Sequence, residues 1–214
     1  MKNISCDLKK VLLINACARS CSRTLELAGK FLSCLENLCA AEIKELCLYA
    51  ELEKRNIFPI DESFIDFRAK CSYSGDFSNA VFRPARLFSE ADIIVIAAPY
   101  WDFSFPSVLK IFLENICVEG LSFRYTEDGM PHGLCRASDM VYVSTSGGPV
   151  YGDFGYGYLD SLCRQLLGVR NTHLIQAENL DICGYDTDKI ILETMRSAEE
   201  LAAKIISGMK KQQV

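Results

Sequence analysis

The 214-residue sequence contains no apolar run approaching the roughly 20 residues that a membrane-spanning helix needs. Its first ten residues, MKNISCDLKK, lack the continuous apolar core of a secretory signal. Positive charge is not in excess: 23 Lys and Arg face 28 Asp and Glu, a net charge of −5, which argues against a broad cationic face for nucleic acid. Histidine is scarce, and His132 and His173 stand far apart. No C-x-x-C pair occurs among the eleven cysteines, the tightest spacing being Cys17 to Cys21, so no metal site is expected. The odd cysteine count and a chain long enough to bury a core speak against a disulfide framework. The cysteines read as small reduced hydrophobes. These absences leave the expectation of a cytoplasmic protein with no nucleic-acid and no membrane partner.

What is present is an alternation of strand and helix patterns. Residues 11–14 form a short continuous apolar run, as a strand buried on both faces requires. Leu25, Ala28, Phe31, Leu32, Leu35 and Leu38 then recur at helical spacing. Further strands are expected at 42–48, 93–98, 140–144 and 172–177. Helices are expected from about Pro106, from about Gly155 to a closing Gly168, and from Thr187 to about Ser207, ended by Gly208. Residues 50–85, interrupted by Pro59, Gly75 and Pro84, read as a long connection with helical pieces. Residues 121–134 read as an excursion with a turn at Asp128-Gly129. There is no repeat and no linker, so residues 1–214 form a single domain. Five strands alternating with helices imply an α/β fold with a doubly wound parallel sheet. Two strand orders are common in such folds, and both place ligands beyond the carboxyl ends of the strands.

Three loops leave those ends. The loop after the first strand has neither G-x-G-x-x-G nor G-x-x-x-x-G-K-[ST], which removes the usual dinucleotide fingerprint and the ATP loop. It offers Ser20, Ser22 and Thr24 at a helix start, where free N–H groups favour an anion. The same hydroxyls are also the commonest helix caps, and this stretch alone does not choose. The loop after the third strand, PYWDFSFP, crowds Tyr100, Trp101, Phe103 and Phe105 into a wall suited to a flat ring. The loop at 144–158 offers Gly147-Gly148 for close backbone approach and Tyr151, Tyr156 and Tyr158 as a roof. A phosphate attached to a flat heterocycle fits all three, and flavin mononucleotide (FMN) is the natural candidate.

The stretches KVLLINACARSCSRTLELA, ADIIVIAAPYWDFSFPSVLKIFLE, GLSFRYTEDGMPHGL and STSGG, in this order and spacing, resemble the flavodoxin-like NAD(P)H-dependent FMN oxidoreductases. That group includes the FMN-dependent NADH-azoreductases and NAD(P)H quinone reductases. The resemblance implies a flavodoxin-like five-stranded sheet of order 2-1-3-4-5 with helices on both faces. It implies non-covalent FMN, with NADH or NADPH as donor and a quinone, azo compound or similar flat aromatic as acceptor. It places Ser20, Cys21 and Ser22 at the FMN phosphate. It places Pro99, Tyr100, Trp101, Asp102 and Phe103 along the isoalloxazine ring, and Thr145, Ser146, Gly147 and Gly148 at its pyrimidine edge. Tyr125 falls in a segment that helps form the substrate pocket of a homodimer. Two positions depart from the family: Cys17 replaces a common serine, and Asp102 a common asparagine. A carboxylate at Asp102 would lower the flavin potential or accept from the flavin N3–H.

Under this reading hydride passes in and out in ping-pong fashion, with Tyr125 or Tyr151 donating a proton or hydrogen bond to the acceptor. Arg19 and Arg23 flank the phosphate loop as a positive field or as surface charges. The competing readings are a flavodoxin-type electron carrier, a non-catalytic scaffold without flavin, and a reductase specialised for an enone, nitroaromatic or pigment.

Overall fold

The computed structural model describes residues 8–152 and 154–211. The chain opens with β1 (Lys9–Asn15), α1 (Arg23–Leu38) and β2 (Ala41–Cys47). Residues 48–90 then hold α2 (Leu48–Glu53), α3 (Glu62–Ser74) and α4 (Arg83–Glu90). The central strand β3 (Ile93–Ala97) and α5 (Ser107–Ile116) precede a hairpin of β4 (Phe123–Tyr125) and β5 (Pro131–Gly133). The chain ends with β6 (Asp139–Thr145), α6 (Tyr156–Ser161), β7 (Asn171–Ala177) and α7 (Thr187–Lys211).

Five strands pair in the order β2-β1-β3-β6-β7, and every pairing is parallel. With the separate hairpin set aside, this is the expected 2-1-3-4-5 order. The apolar runs are buried on both faces because period-2 alternation divides them between two cores. Leu12, Ile14, Ile94, Ile96 and Met140 belong to one core, with Phe88 of α4 and Phe112 of α5. Val11, Leu13, Ile93, Val95 and Val141 belong to the other, with Phe31 of α1 and Ala202 of α7.

The stretch 50–85 is more helical than its sequence pattern suggests. Its interruptions are helix boundaries: Gly75 caps α3 in the left-handed region, and Pro84 sits in the first turn of α4. Helices of 6 and 8 residues are too short to establish a clear period, and the 13-residue α3 buries only Phe64 and so shows no apolar stripe. After α6 the chain makes one π-helical segment, Leu162–Leu167, before Gly168 turns it at φ 81°. The last helix passes through Gly208 and continues to Lys211. A single glycine costs a helix only about 1 kcal/mol, which packing of the apolar face outweighs.

The hairpin docks on that π-helical segment through two glycines. A Cβ on Gly133 would lie 2.1 Å from Gly168 N and 2.1 Å from the Leu167 carbonyl carbon. The hairpin exit adds a hydrogen bond from Cys135 N–H to Leu167 O at 3.2 Å.

At the amino end of the sheet, Asp139 is buried. Its oxygens meet His173 Nε2 at 2.8 Å and Ser138 Oγ at 2.6 Å. Burial opposes its charge, but the bonds from His173 and Ser138 and the histidine's field outweigh burial and hold the carboxyl below its ordinary value. A depressed carboxylate stabilises the fold above the unfolded-state pKa, and that stability is lost as pH falls through the folded one. The stability gap between wild type and Asp139→Asn is therefore expected to be full above about pH 4 and to shrink on further acidification. Denaturant midpoints from pH 7 to pH 2 test this; a gap that widens toward acid contradicts it.

Candidate functional site: the crevice at the carboxyl end of the sheet

Strand order reverses between β1 and β3, so the chain leaves these two neighbours in opposite directions and opens a crevice beyond their carboxyl ends. Here lies a cleft of about 490 Å³, within the usual range for small-molecule sites. Four loops line it.

The loop after β1 contributes Cys17, Ala18, Arg19, Cys21 and Ser22, followed by Arg23 and Thr24 of α1. Its path is set by Asn15: the side-chain carbonyl accepts from Cys17 N–H at 2.9 Å, and the amide donates to Glu45 at 2.8 Å. Ser22 is the N-cap of α1, its Oγ accepting from Leu25 N–H at 3.4 Å. The capping role is therefore real, and Ser22 lines the cleft as well. Thr24, fully buried, meets Thr145 hydroxyl to hydroxyl at 2.6 Å and ties α1 to the end of β6. Burial pushes the Cys17 thiol above its ordinary value, against a weaker opposing bond with Ser22. Cys17 is thus a protonated thiol near neutral pH, a poor nucleophile.

The loop after β3 contributes Pro99, Tyr100 and Trp101. Trp101 and Ser104 exchange two backbone hydrogen bonds of 2.9 Å around a tight turn. Both central residues have positive φ, 49° at Asp102 and 68° at Phe103, the pattern of a type I′ turn. Aspartate and asparagine tolerate this conformation, which gives Asp102 a backbone role. Phenylalanine does not, and its strain costs on the order of 1 kcal/mol or more. The turn is held by its neighbours. Tyr100 OH donates to Tyr151 O at 3.1 Å and accepts from Tyr151 N–H at 3.2 Å, and Ser104 Oγ donates to Phe154 O at 3.2 Å. The Phe103 ring lies 6.5 Å from Tyr100 and 6.3 Å from Tyr151.

The loop after β6 contributes Thr145, Ser146 and Gly147. The fourth loop, after β7, contributes Leu180 and Asp181. It runs alongside the third through bonds from Asn179 N–H to Gly148 O, Leu180 N–H to Ser146 O and Asp181 N–H to Gly147 O. A Cβ on Gly147 would lie 2.5 Å from Asp181 Oδ2, so a side chain there would displace that carboxylate. Asp181 Oδ1 pairs with Arg23 Nη1 at 2.9 Å across the cleft. Both side chains are about half exposed or more, so the pair contributes at most about 1 kcal/mol.

Most of the residues singled out in the sequence converge on this cleft. Cys17, Cys21, Ser22, Pro99, Tyr100, Trp101, Thr145, Ser146 and Gly147 all line it. Ser20 lies on an adjoining shelf that shares Cys21, Ser22 and Arg23. Asp102, Phe103, Gly148, Tyr125 and Tyr151 lie outside the lining; Phe103 and Tyr151 form its outer aromatic rim, and Tyr125 stands exposed on the hairpin. Leu180 and Asp181 were not among the sequence candidates. Their only signal was topological, since the carboxyl end of the fifth strand must lie on the same side as the other four. Among the described residues no cluster of three or more His, Cys, Asp or Glu could hold a metal, and no helix is long and apolar enough to cross a membrane.

Cleft and topology together define the class: a flavodoxin-like α/β protein with a nucleotide-sized crevice at the switch point of its sheet. Residues 9–202 match the Flavodoxin_2 family, described as having a flavodoxin-like fold, and the chain belongs to that family. It is similar to FMN-dependent NADH:quinone oxidoreductase 2 of Clostridium acetobutylicum, 35% identical over 202 residues, which cover 91% of this chain and 98% of the relative. A second relative, the FMN-dependent NADH:quinone oxidoreductase of Coprothermobacter proteolyticus, is 34% identical over 167 residues, covering 75% and 80%. Among solved structures, an azoreductase from Bacillus anthracis superposes with a TM-score of 0.79 at 23% identity, covering 92% of this chain and 99% of that one, which speaks for the fold alone.

Proposed function

We propose that this protein is an FMN-dependent NAD(P)H oxidoreductase that passes two electrons to a flat acceptor of the quinone or azo type. The observation that carries this reading is the meeting, in one cleft, of an α1 N-terminus with Arg19 and Ser22, an aromatic wall at Tyr100 and Trp101, and an open backbone edge at Gly147. The donor set fits FMN. Main-chain N–H groups at the start of α1 and a guanidinium suit a phosphate. Trp101 is 43% exposed while lining the cleft, a face available to a flat ring. The relatives named as FMN-dependent NADH:quinone oxidoreductases support the same reading and favour NADH.

When bound, FMN supplies the hydride chemistry. The chain supplies position. The α1 N-terminus and its hydroxyls would hold the phosphate, Trp101 and Tyr100 would offer a wall to the ring, and main-chain groups at residues 145–147 would serve its polar edge. The outer rim of Phe103 and Tyr151 limits water and guides a flat acceptor, to which Tyr151 or Tyr125 offers a hydroxyl proton. Ping-pong kinetics are expected, since the cleft would admit donor and acceptor in turn. Cys17 lines the cleft as a neutral thiol. The exposed Trp101, Phe103, Tyr125, Met130, Tyr151 and Phe154 favour a homodimer that covers part of this rim.

The test is the visible spectrum of the purified protein, reconstituted with FMN, on anaerobic addition of NADH and separately of NADPH. Bleaching in one step without a one-electron intermediate is the expected result. A flavin that bleaches with neither donor favours an electron carrier. A protein that binds no FMN removes the proposal.

A further inference from the structure

Two guanidinium groups line the cleft beside the α1 N-terminus, and the structure employs them differently. Arg23 is committed. Its Nη1 lies 2.9 Å from Asp181 Oδ1, and Asp181 is itself held by its N–H to Gly147 O at 2.9 Å. The carboxylate fills the space a side chain at Gly147 would take, 2.5 Å from the Cβ position. Arg23 and Asp181 therefore close a bridge between α1 and the loop after β7. Arg19 lines the same cleft with no hydrogen bond or ion pair among the described residues.

We infer that charge at this end of the cleft is divided: Arg19 is the cation that pairs with the flavin phosphate, while Arg23, neutralised by Asp181, is a positioning residue that sets the fourth wall. This rests on the FMN reading above. An unpaired guanidinium offers both its charge and its forked donors to a phosphate carrying about −1.5 to −2 charges at neutral pH. A paired one presents little net charge, and a phosphate approaching it meets the carboxylate as well. Arg23 at the start of α1 also lies at the unfavourable end of the helix dipole for a cation, which Asp181 offsets.

The experiment measures dissociation constants for FMN and for riboflavin, which lacks the phosphate, by flavin fluorescence quenching with the full-length apoprotein. Arg19→Gln is expected to weaken FMN at least about tenfold and riboflavin by less than about twofold. Arg19→Lys, which keeps the charge and loses the fork, recovers part of the loss. Arg23→Gln and Asp181→Asn are expected to shift both ligands by the same factor, and the double variant to match either single one, as for two halves of one contact. The inference is overturned if Arg23→Gln erases the FMN preference while Arg19→Gln spares it, or if Asp181→Asn tightens FMN alone, which would make Asp181 a competitor of the phosphate. A wild-type protein that binds neither flavin defeats the cofactor reading itself. One that binds both equally defeats only the phosphate assignment.

Discussion

Gly133→Ala is expected to destabilise the protein by about 3 kcal/mol, lowering Tm by roughly 6–12 °C. The added methyl would lie 2.1 Å from two backbone atoms of the Leu167-Gly168 peptide. Neither atom is the end of a flexible side chain, so the hairpin or the π-helical segment must move. Gly168 is in turn fixed at φ 81° with its N–H bonded to Cys163 O, and the neighbouring Cys135–Leu167 hydrogen bond holds the two segments together. The displaced element is the hairpin that carries Tyr125, so the KM for the acceptor is expected to rise with FMN affinity nearly unchanged. Thermal melts and limited proteolysis at the exposed turn 126–130 check this. A loss below about 1 kcal/mol with the hairpin still protected would mean the glycine contact is not as close as described.

The second large effect comes from cofactor removal. With FMN at about one hundred times its dissociation constant, the protein is expected to melt roughly 5–11 °C above the apoprotein, because a ligand that binds only the folded state contributes about 2.7 kcal/mol. The segments that form the cleft come together only in the folded chain. Thr24 meets Thr145 at 2.6 Å and Arg23 meets Asp181 at 2.9 Å, pairs separated by 121 and 158 positions in sequence. The unfolded chain therefore has no site to offer. Riboflavin at the same concentration is expected to give a smaller shift, since it forgoes the contacts at Arg19 and the α1 N-terminus. A melt unchanged by excess FMN would reject the cofactor reading independently of any assay of turnover.

Asp102 shows how a residue's chemistry depends on where its backbone goes. Its carboxylate reads in the sequence as a group that perturbs a flavin. In the structure it occupies the first left-handed position of a tight turn, outside the cleft lining, where a short polar side chain is tolerated. The strained residue beside it, Phe103, is the more telling one. A bulky ring kept in a disfavoured backbone conformation while 56% exposed is held there by its contacts with Tyr100 and Tyr151.

The strands, the main helices and the location of the cleft were legible in the sequence because each rests on a local pattern. Runs such as Val11 to Ile14 and Ile93 to Ala97 are continuous because both sheet faces are covered, and α1 repeats Leu27, Phe31 and Leu35 because one side faces the sheet. Once five parallel strands were recognised, the carboxyl-end loops followed from topology. The helices of 48–90 were legible only as unplaced helical pieces, since α2 and α4 are shorter than the window in which a period can be seen and α3 buries only Phe64. What only the tertiary structure decided are the meetings of loops distant in sequence: Gly133 on Gly168, Tyr100 with Tyr151, and Arg23 with Asp181. Periodicity records how deeply a residue is buried, whereas loop contacts depend on which strand ends are neighbours. Two arginines four residues apart look alike in sequence; the strand order that brings Asp181 opposite α1 leaves Arg23 paired, and Arg19 without a partner among the described residues.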